Sequence, residues 1–93
     1  MNSLFLVNLF MKKILIIGGG AMGSAFSVPC IDNNNKVFIT EPHSQRFIKN
    51  LSSKNKFHSG LKINLSKKLI FKKYAKELFL EKYDLIVVAL SLS

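Results

Sequence analysis

Cysteine occurs once in the 93 residues, at Cys30, so no internal disulfide can form, and no Cys/His spacing resembles a zinc site. A reducing cytoplasm is the simplest compartment for such a chain. Acidic residues are also scarce: 5 Asp and Glu stand against 14 Lys and Arg, a formal net charge of +9. No uninterrupted apolar run reaches the roughly 20 residues that a membrane-spanning helix needs, because Lys12 and Lys13 split the one candidate stretch. The first ten residues are apolar at Leu4, Phe5, Leu6, Val7, Leu9 and Phe10, but they lack the positive leader and small-residue cleavage site of a secretion signal. Repeats and low-complexity segments are missing as well. A chain this short buries only roughly 60 to 65% of its unfolded surface, which predicts at most one domain and excludes a complete two-domain enzyme.

What is present is enough apolar content to fold, 48% hydrophobic against 20% charged. The 13 to 1 excess of Lys over Arg, with abundant Asn, Ile and Phe, resembles the residue usage of AT-rich genomes. A positive chain also attracts phosphate-rich partners through its long-range field. Lys12 to Ile17 enters from charge into a continuous apolar run, the pattern of a strand buried on both faces of a parallel sheet. Met11 stands directly before it, so a natural start is expected there with residues 1–10 an apolar upstream extension, the alternative being an ordinary edge strand or short helix.

Gly18 to Gly20 end that run, and the small residues that follow suit a helix packed closely on a sheet. Pro29 lacks the backbone donor and clashes one turn back, so a kink or early stop is expected there. Asp32 to Asn35 reads as a turn, and Lys36 to Thr40 as a second strand. After Pro42, a helix is expected over Gln45 to Leu51, with Phe47, Ile48 and Leu51 on one face. Ser52 to Gly60 reads as loop, Lys67 to Phe71 as a third strand, and about Lys72 to Lys82 as a helix carrying Tyr74, Leu78 and Glu81 at helical spacing. Asp84 to Leu90 is the second strong buried-strand run. Strands alternating with helices imply parallel βαβ units: an α/β fold, half of a doubly wound parallel sheet of about four strands.

The chemistry concentrates at Gly18-x-Gly20-x-x-Gly23, which follows a strand, opens a helix and is trailed by Glu41, 23 positions after the first glycine. That is the dinucleotide-binding fingerprint in its required context. Gly18 allows the tight turn, Gly20 lets the backbone approach a pyrophosphate, and Gly23 lets helix and strand pack closely. The helix then offers unpaired donors and the positive end of its dipole to phosphate, with no cationic side chain needed. Glu41 has two readings: an acceptor for ribose hydroxyls, which favours NAD over NADP, or a cap for the helix after Pro42.

From Met11 onward, 83 residues, the sequence resembles the N-terminal part of NAD(P)-dependent glycerol-3-phosphate dehydrogenase. Gly18 to Ala25 is similar to that family's Gly-x-Gly-x-aromatic-Gly-Thr/Ser-Ala turn, with Met22 in place of the aromatic. Asn55 to Ile63 resembles the family's Asn-x-x-Tyr-Leu-Pro-Gly-x-x-Leu loop, with His58 and Ser59 in place of Leu-Pro, and Asp84 to Ser91 resembles its Asp-Leu-Ile-x-x-Ala-Val-Pro-Ser strand. The resemblance implies a truncated dinucleotide-binding (Rossmann) domain over residues 11–93. It further implies NAD or NADP as cofactor, contacts at Gly18, Gly20, Ala21, Met22 and Gly23, and a cytoplasmic step linking glycerol 3-phosphate and dihydroxyacetone phosphate for phospholipid synthesis. The family's catalytic lysines and helical C-terminal domain have no counterpart here, so no catalytic residue is assigned and the fragment is expected to be inactive. Pyrroline-5-carboxylate and ketopantoate reductases share similar glycine turns, and Met22 is closer to the pyrroline-5-carboxylate type; the Asn55 to Ile63 loop favours glycerol-3-phosphate dehydrogenase.

His43 and His58 are isolated and read as surface or loop residues. Ser24 serves either a phosphate contact or helix packing, and Cys30 reads as a small core residue. Lys67, Lys68, Lys72, Lys73 and Lys76, interleaved with apolar residues, offer an alternative function as a non-catalytic basic module for anionic lipid or nucleic acid. Glu77 and Glu81 dilute it. The partner expected on balance is a dinucleotide, with no nucleic acid, no metal and no membrane span.

Overall fold

The computed structural model describes residues 11–90. The apolar extension over residues 1–10 and the counterpart of Ser91 lie outside them. Four parallel strands form the sheet: β1 (Lys13–Ile17), β2 (Lys36–Thr40), β5 (Ile70–Phe71) and β6 (Leu85–Val88), in the spatial order β5-β2-β1-β6. Helix α1 (Ala21–Asp32) joins β1 to β2, and α2 (Gln45–Ser52) follows β2. The fold is α/β, a parallel sheet flanked by helices.

The apolar run of β1 makes it central. Ile14, Leu15 and Ile16 are all buried, because strands on both sides pair with it and both faces are covered. Its entry is fixed twice: Lys13 N donates to the Asp84 carboxylate at 2.7 Å, and Asp84 N donates to Lys13 O at 2.8 Å. One face of the sheet, through Ile14, Ile16, Val37 and Ile39, packs on Cys30 and Ile31 of α1 and on Phe47 and Leu51 of α2. The other, through Leu15, Ile17 and Phe38, meets Leu78 and Tyr83. Lys13, Lys36 and Lys72 place their ammonium groups 5.4, 5.5 and 4.7 Å from the centre of the Phe38 ring. β6 is an edge strand among the described residues, with Leu85, Ile86 and Val88 exposed.

The expected early stop at Pro29 does not occur, for α1 continues to Asp32. Pro29 and Ala25, whose carbonyl loses its donor, both lie on the exposed side, where such a carbonyl is not left buried without a partner. The Asn33 to Asn35 turn closes the helix. Asn33 donates from backbone and side chain to Pro29 O, Asn35 donates likewise to Cys30 O, and Asn34 takes a left-handed φ of 65°.

Three further expectations change. The segment from Ser52 to Gly60 is not all loop: β3 (Phe57–His58) pairs antiparallel with β4 (Ile63–Asn64), and the turn closes through Lys62 N to His58 O at 2.7 Å. The strand expected from Lys67 shortens to Ile70–Phe71, because the carbonyls of Lys67 and Leu69 accept from the Lys56 ammonium group in place of a ladder. The helix expected over Lys72 to Lys82 is a single 3-10 turn, Lys76–Leu80. A helix would stack Lys72 and Lys73 over Lys76, a like-charge arrangement that disfavours it. The observed turn instead buries Leu78 and leaves Phe79 and Leu80 exposed.

Candidate functional site

The site is built where β1 ends and α1 begins, between β2 and β6. Gly18 has φ +122°, a conformation that L side chains rarely adopt, and a Cβ there would overlap the carbonyl oxygen of Ala89. Its N–H donates to Thr40 O at 2.9 Å, while Ala89 N donates to Ile17 O at 2.8 Å, so the turn is sewn to both neighbouring strands. A Cβ on Gly23 would overlap the Gly18 carbonyl oxygen, which brings the first turn of α1 directly against the glycine loop. At Gly20 the space is open, with no atom within 4 Å of an added Cβ.

That open space belongs to a cleft of about 600 Å³ whose floor is Gly20, Ala21 and Met22. Glu41, His43 and Ser44 form one wall, Ala89 and Leu90 the other. Gly20 is the N-cap of α1; no side chain caps the helix, and its first turn carries no acid. The positive end of the helix dipole therefore faces the cleft with no counter-charge from the helix's own first turn, and Glu41 on the wall is the acid nearest to it. Of the residues expected to contact a cofactor, Gly20, Ala21, Met22 and Glu41 line the cleft together. Gly18 and Gly23 lie beneath its floor as packing residues. Met22, where the resembling family has an aromatic, is 74% exposed.

Glu41 is buried, and both of its carboxylate oxygens accept hydrogen bonds. Its Oε1 accepts from Gly19 N at 2.7 Å, and its Oε2 accepts from His43 N and Ser44 N at 2.7 and 2.9 Å. Burial alone would push its carboxyl up, but the three backbone donors, aided by the His43 charge, hold it below the usual carboxylate range. Of its two readings, capping is the one the hydrogen bonds express, although it closes the turn before α2 while Ser44 caps the helix itself by accepting from Phe47 N at 3.2 Å. A carboxylate has about four lone-pair sites, so with three donors in place about one remains.

Three residues that sequence reasoning passed over complete the site. Gly19, outside the fingerprint, has the Phe47 ring where its Cβ would be. Its carbonyl accepts from Ser24 Oγ at 3.0 Å, which gives Ser24 the packing role among its two readings, and lies 3.0 Å from His58 Nε2. His58, expected in a surface loop, is buried at 7% exposure. His43 is exposed at the cleft wall. Only the Asn55 to Ile63 resemblance drew attention to the neighbourhood of His58, and the residue itself departs from that pattern.

The remaining candidates have structural surroundings. Burial raises the Cys30 thiol, as befits a small core residue. Lys72 and Lys13 both pair with Glu81, at 3.3 Å for Lys13, and its carboxyl is pulled down to about 2, first by the Lys72 hydrogen bond and, against some desolvation, by Lys13. The amphipathic helix on which a basic module would rest is not formed. No cluster of metal-ligating side chains occurs among the described residues, and none of their helices is long and apolar enough to cross a membrane. No protein-family model, curated protein or solved structure matches the chain significantly.

Proposed function

We propose that the turn from β1 into α1 binds the diphosphate of NAD or NADP, and that the chain is the nucleotide-binding part of an oxidoreductase of the glycerol-3-phosphate dehydrogenase type. The observation that carries this reading is the open space beside Gly20, free of neighbouring protein atoms, at a helix N-terminus with no side-chain cap. A backbone free of side chains, beside unpaired donors, is what a diphosphate needs to approach closely. The strand order supports it. Numbering the parallel strands along the chain gives 3-2-1-4, the first half of a doubly wound sheet, and the cleft opens at the carboxyl ends of the strands between the first and fourth, where such sheets change direction. Glu41 follows the second strand and lines the same cleft, which supports a ribose contact beside the diphosphate. The substrate pair, glycerol 3-phosphate and dihydroxyacetone phosphate, rests on the sequence resemblance, and no residue of this chain is assigned to hydride transfer.

Gly20→Val is the decisive variant. Gly20 has φ −68° and ψ −171°, an extended conformation open to any residue, and its Cβ direction is free, so the variant keeps its fold. Calorimetric titration with NAD, NADP and ADP is expected to show binding to the wild-type chain and its loss in Gly20→Val at an unchanged thermal midpoint. Equal binding by the two proteins, or none by the wild type, overturns the reading.

A further inference from the structure

We propose that His58 is a positioning residue for the phosphate-binding turn, acting from the β3–β4 hairpin through the peptide between Gly19 and Gly20; this rests on the diphosphate reading above. Leu61 N donates to His58 Nδ1 at 3.1 Å, so Nδ1 is the acceptor and the ring proton sits on Nε2, 3.0 Å from the Gly19 carbonyl oxygen. The ring packs on Phe47 with centroids 5.7 Å apart, and Phe47 fills the space beside Gly19. The Gly19 carbonyl thus receives two donors, His58 from the hairpin and Ser24 from α1, while its N–H is held by Glu41. In a trans peptide the carbonyl and the following N–H point in opposite directions. Holding Gly19 O toward His58 and Ser24 therefore turns the Gly20 N–H away from them, and the open space over Gly20 is where that donor is of use. A hairpin of two-residue strands has little sheet to stabilise. Through its contact with α2 and the glycine turn, it instead braces one peptide plane whose rotation would remove a donor from the diphosphate.

The test uses the full chain and three variants. His58→Gln retains a side-chain N–H donor, whereas His58→Phe keeps a ring on Phe47 without one; His58→Leu is a second donor-free variant should the Phe protein fail to fold. With ADP as the probe, the donor-free variants are expected to bind roughly three- to tenfold more weakly, the worth of one neutral hydrogen bond, and His58→Gln to recover affinity to within about twofold of wild type. In the ligand-free proteins, the Gly20 amide resonance is expected to shift in the donor-free variants and to return toward its wild-type position in His58→Gln. Wild-type affinity in a folded donor-free variant, or a Gln variant no better than it, overturns the proposal. If the wild-type chain binds neither ADP nor NAD, the diphosphate reading falls by itself, and the Gly20 resonance alone then decides whether His58 orients that peptide.

Discussion

Replacing Glu41 by Gln changes one atom at a place where three backbone donors converge. The amide oxygen can keep the His43 and Ser44 N–H groups, but its NH2 group then faces the Gly19 N–H, which is buried and has no other acceptor in place. Hydrogen bonds to a charged acceptor contribute about 1.5 to 3 kcal/mol each, and one such bond is lost while the rest weaken with the charge. The expected cost is about 2 to 4 kcal/mol, large beside the total of roughly 5 to 15 kcal/mol typical of a domain. The effect carries a pH signature. Because the folded-state pKa lies below the ordinary 4.5, the stabilisation from Glu41 is fully present above that value and is lost as pH falls through the lower, folded one. Urea unfolding followed by circular dichroism, run on both proteins from pH 7 downward, should therefore show a gap that is constant above about pH 5 and narrows below about pH 4. Glu81, whose carboxyl is also held below the usual range, is present in both proteins and cancels in the difference. A gap under about 0.5 kcal/mol at neutral pH, or one that does not narrow in acid, would refute the assignment of Glu41 as the tie between the glycine turn and the β2–α2 turn.

Gly23→Ala should unfold or strongly destabilise the chain, by about 1 to 3 kcal/mol or more, since its Cβ would overlap the Gly18 carbonyl against backbone that cannot yield; thermal denaturation beside Gly20→Val should separate the two glycines cleanly. Val88→Lys, at a position 65% exposed on the edge strand β6, should reduce self-association in sedimentation velocity while leaving the fold intact, because a charge on an edge opposes strand-to-strand pairing. An unchanged sedimentation profile would remove that edge as the origin of any association.

The strands β1, β2 and β6 were legible because each is a continuous apolar run, and a parallel sheet asks for little else. The glycine turn was legible for the same kind of reason: three positions exclude a side chain, and only spacing is needed to see them. Two of those positions nevertheless prove to exclude neighbouring backbone, not a ligand, and only Gly20 opens on the cleft. The rest was hidden because it depends on partners far away in sequence. The carbonyls near Leu69 are claimed by Lys56, which shortens β5, and crowding of like charges turns an apparently helical stretch into a 3-10 turn. Glu41 was visible as an acid after a strand, but the donor it serves, at Gly19, lies 22 residues earlier. His58 offered no signal of its own, since an isolated histidine carries no mark of burial.

The three lysines gathered over Phe38 bear on how the chain's surplus of positive charge should be understood. Their ammonium groups gather on a side of the sheet that no full helix shelters among the described residues, and two of the three also pair with Glu81. Part of the basic character is thus weatherproofing for an aromatic ring, and an electrostatic map drawn from composition alone would overstate the pull this surface exerts on passing anions.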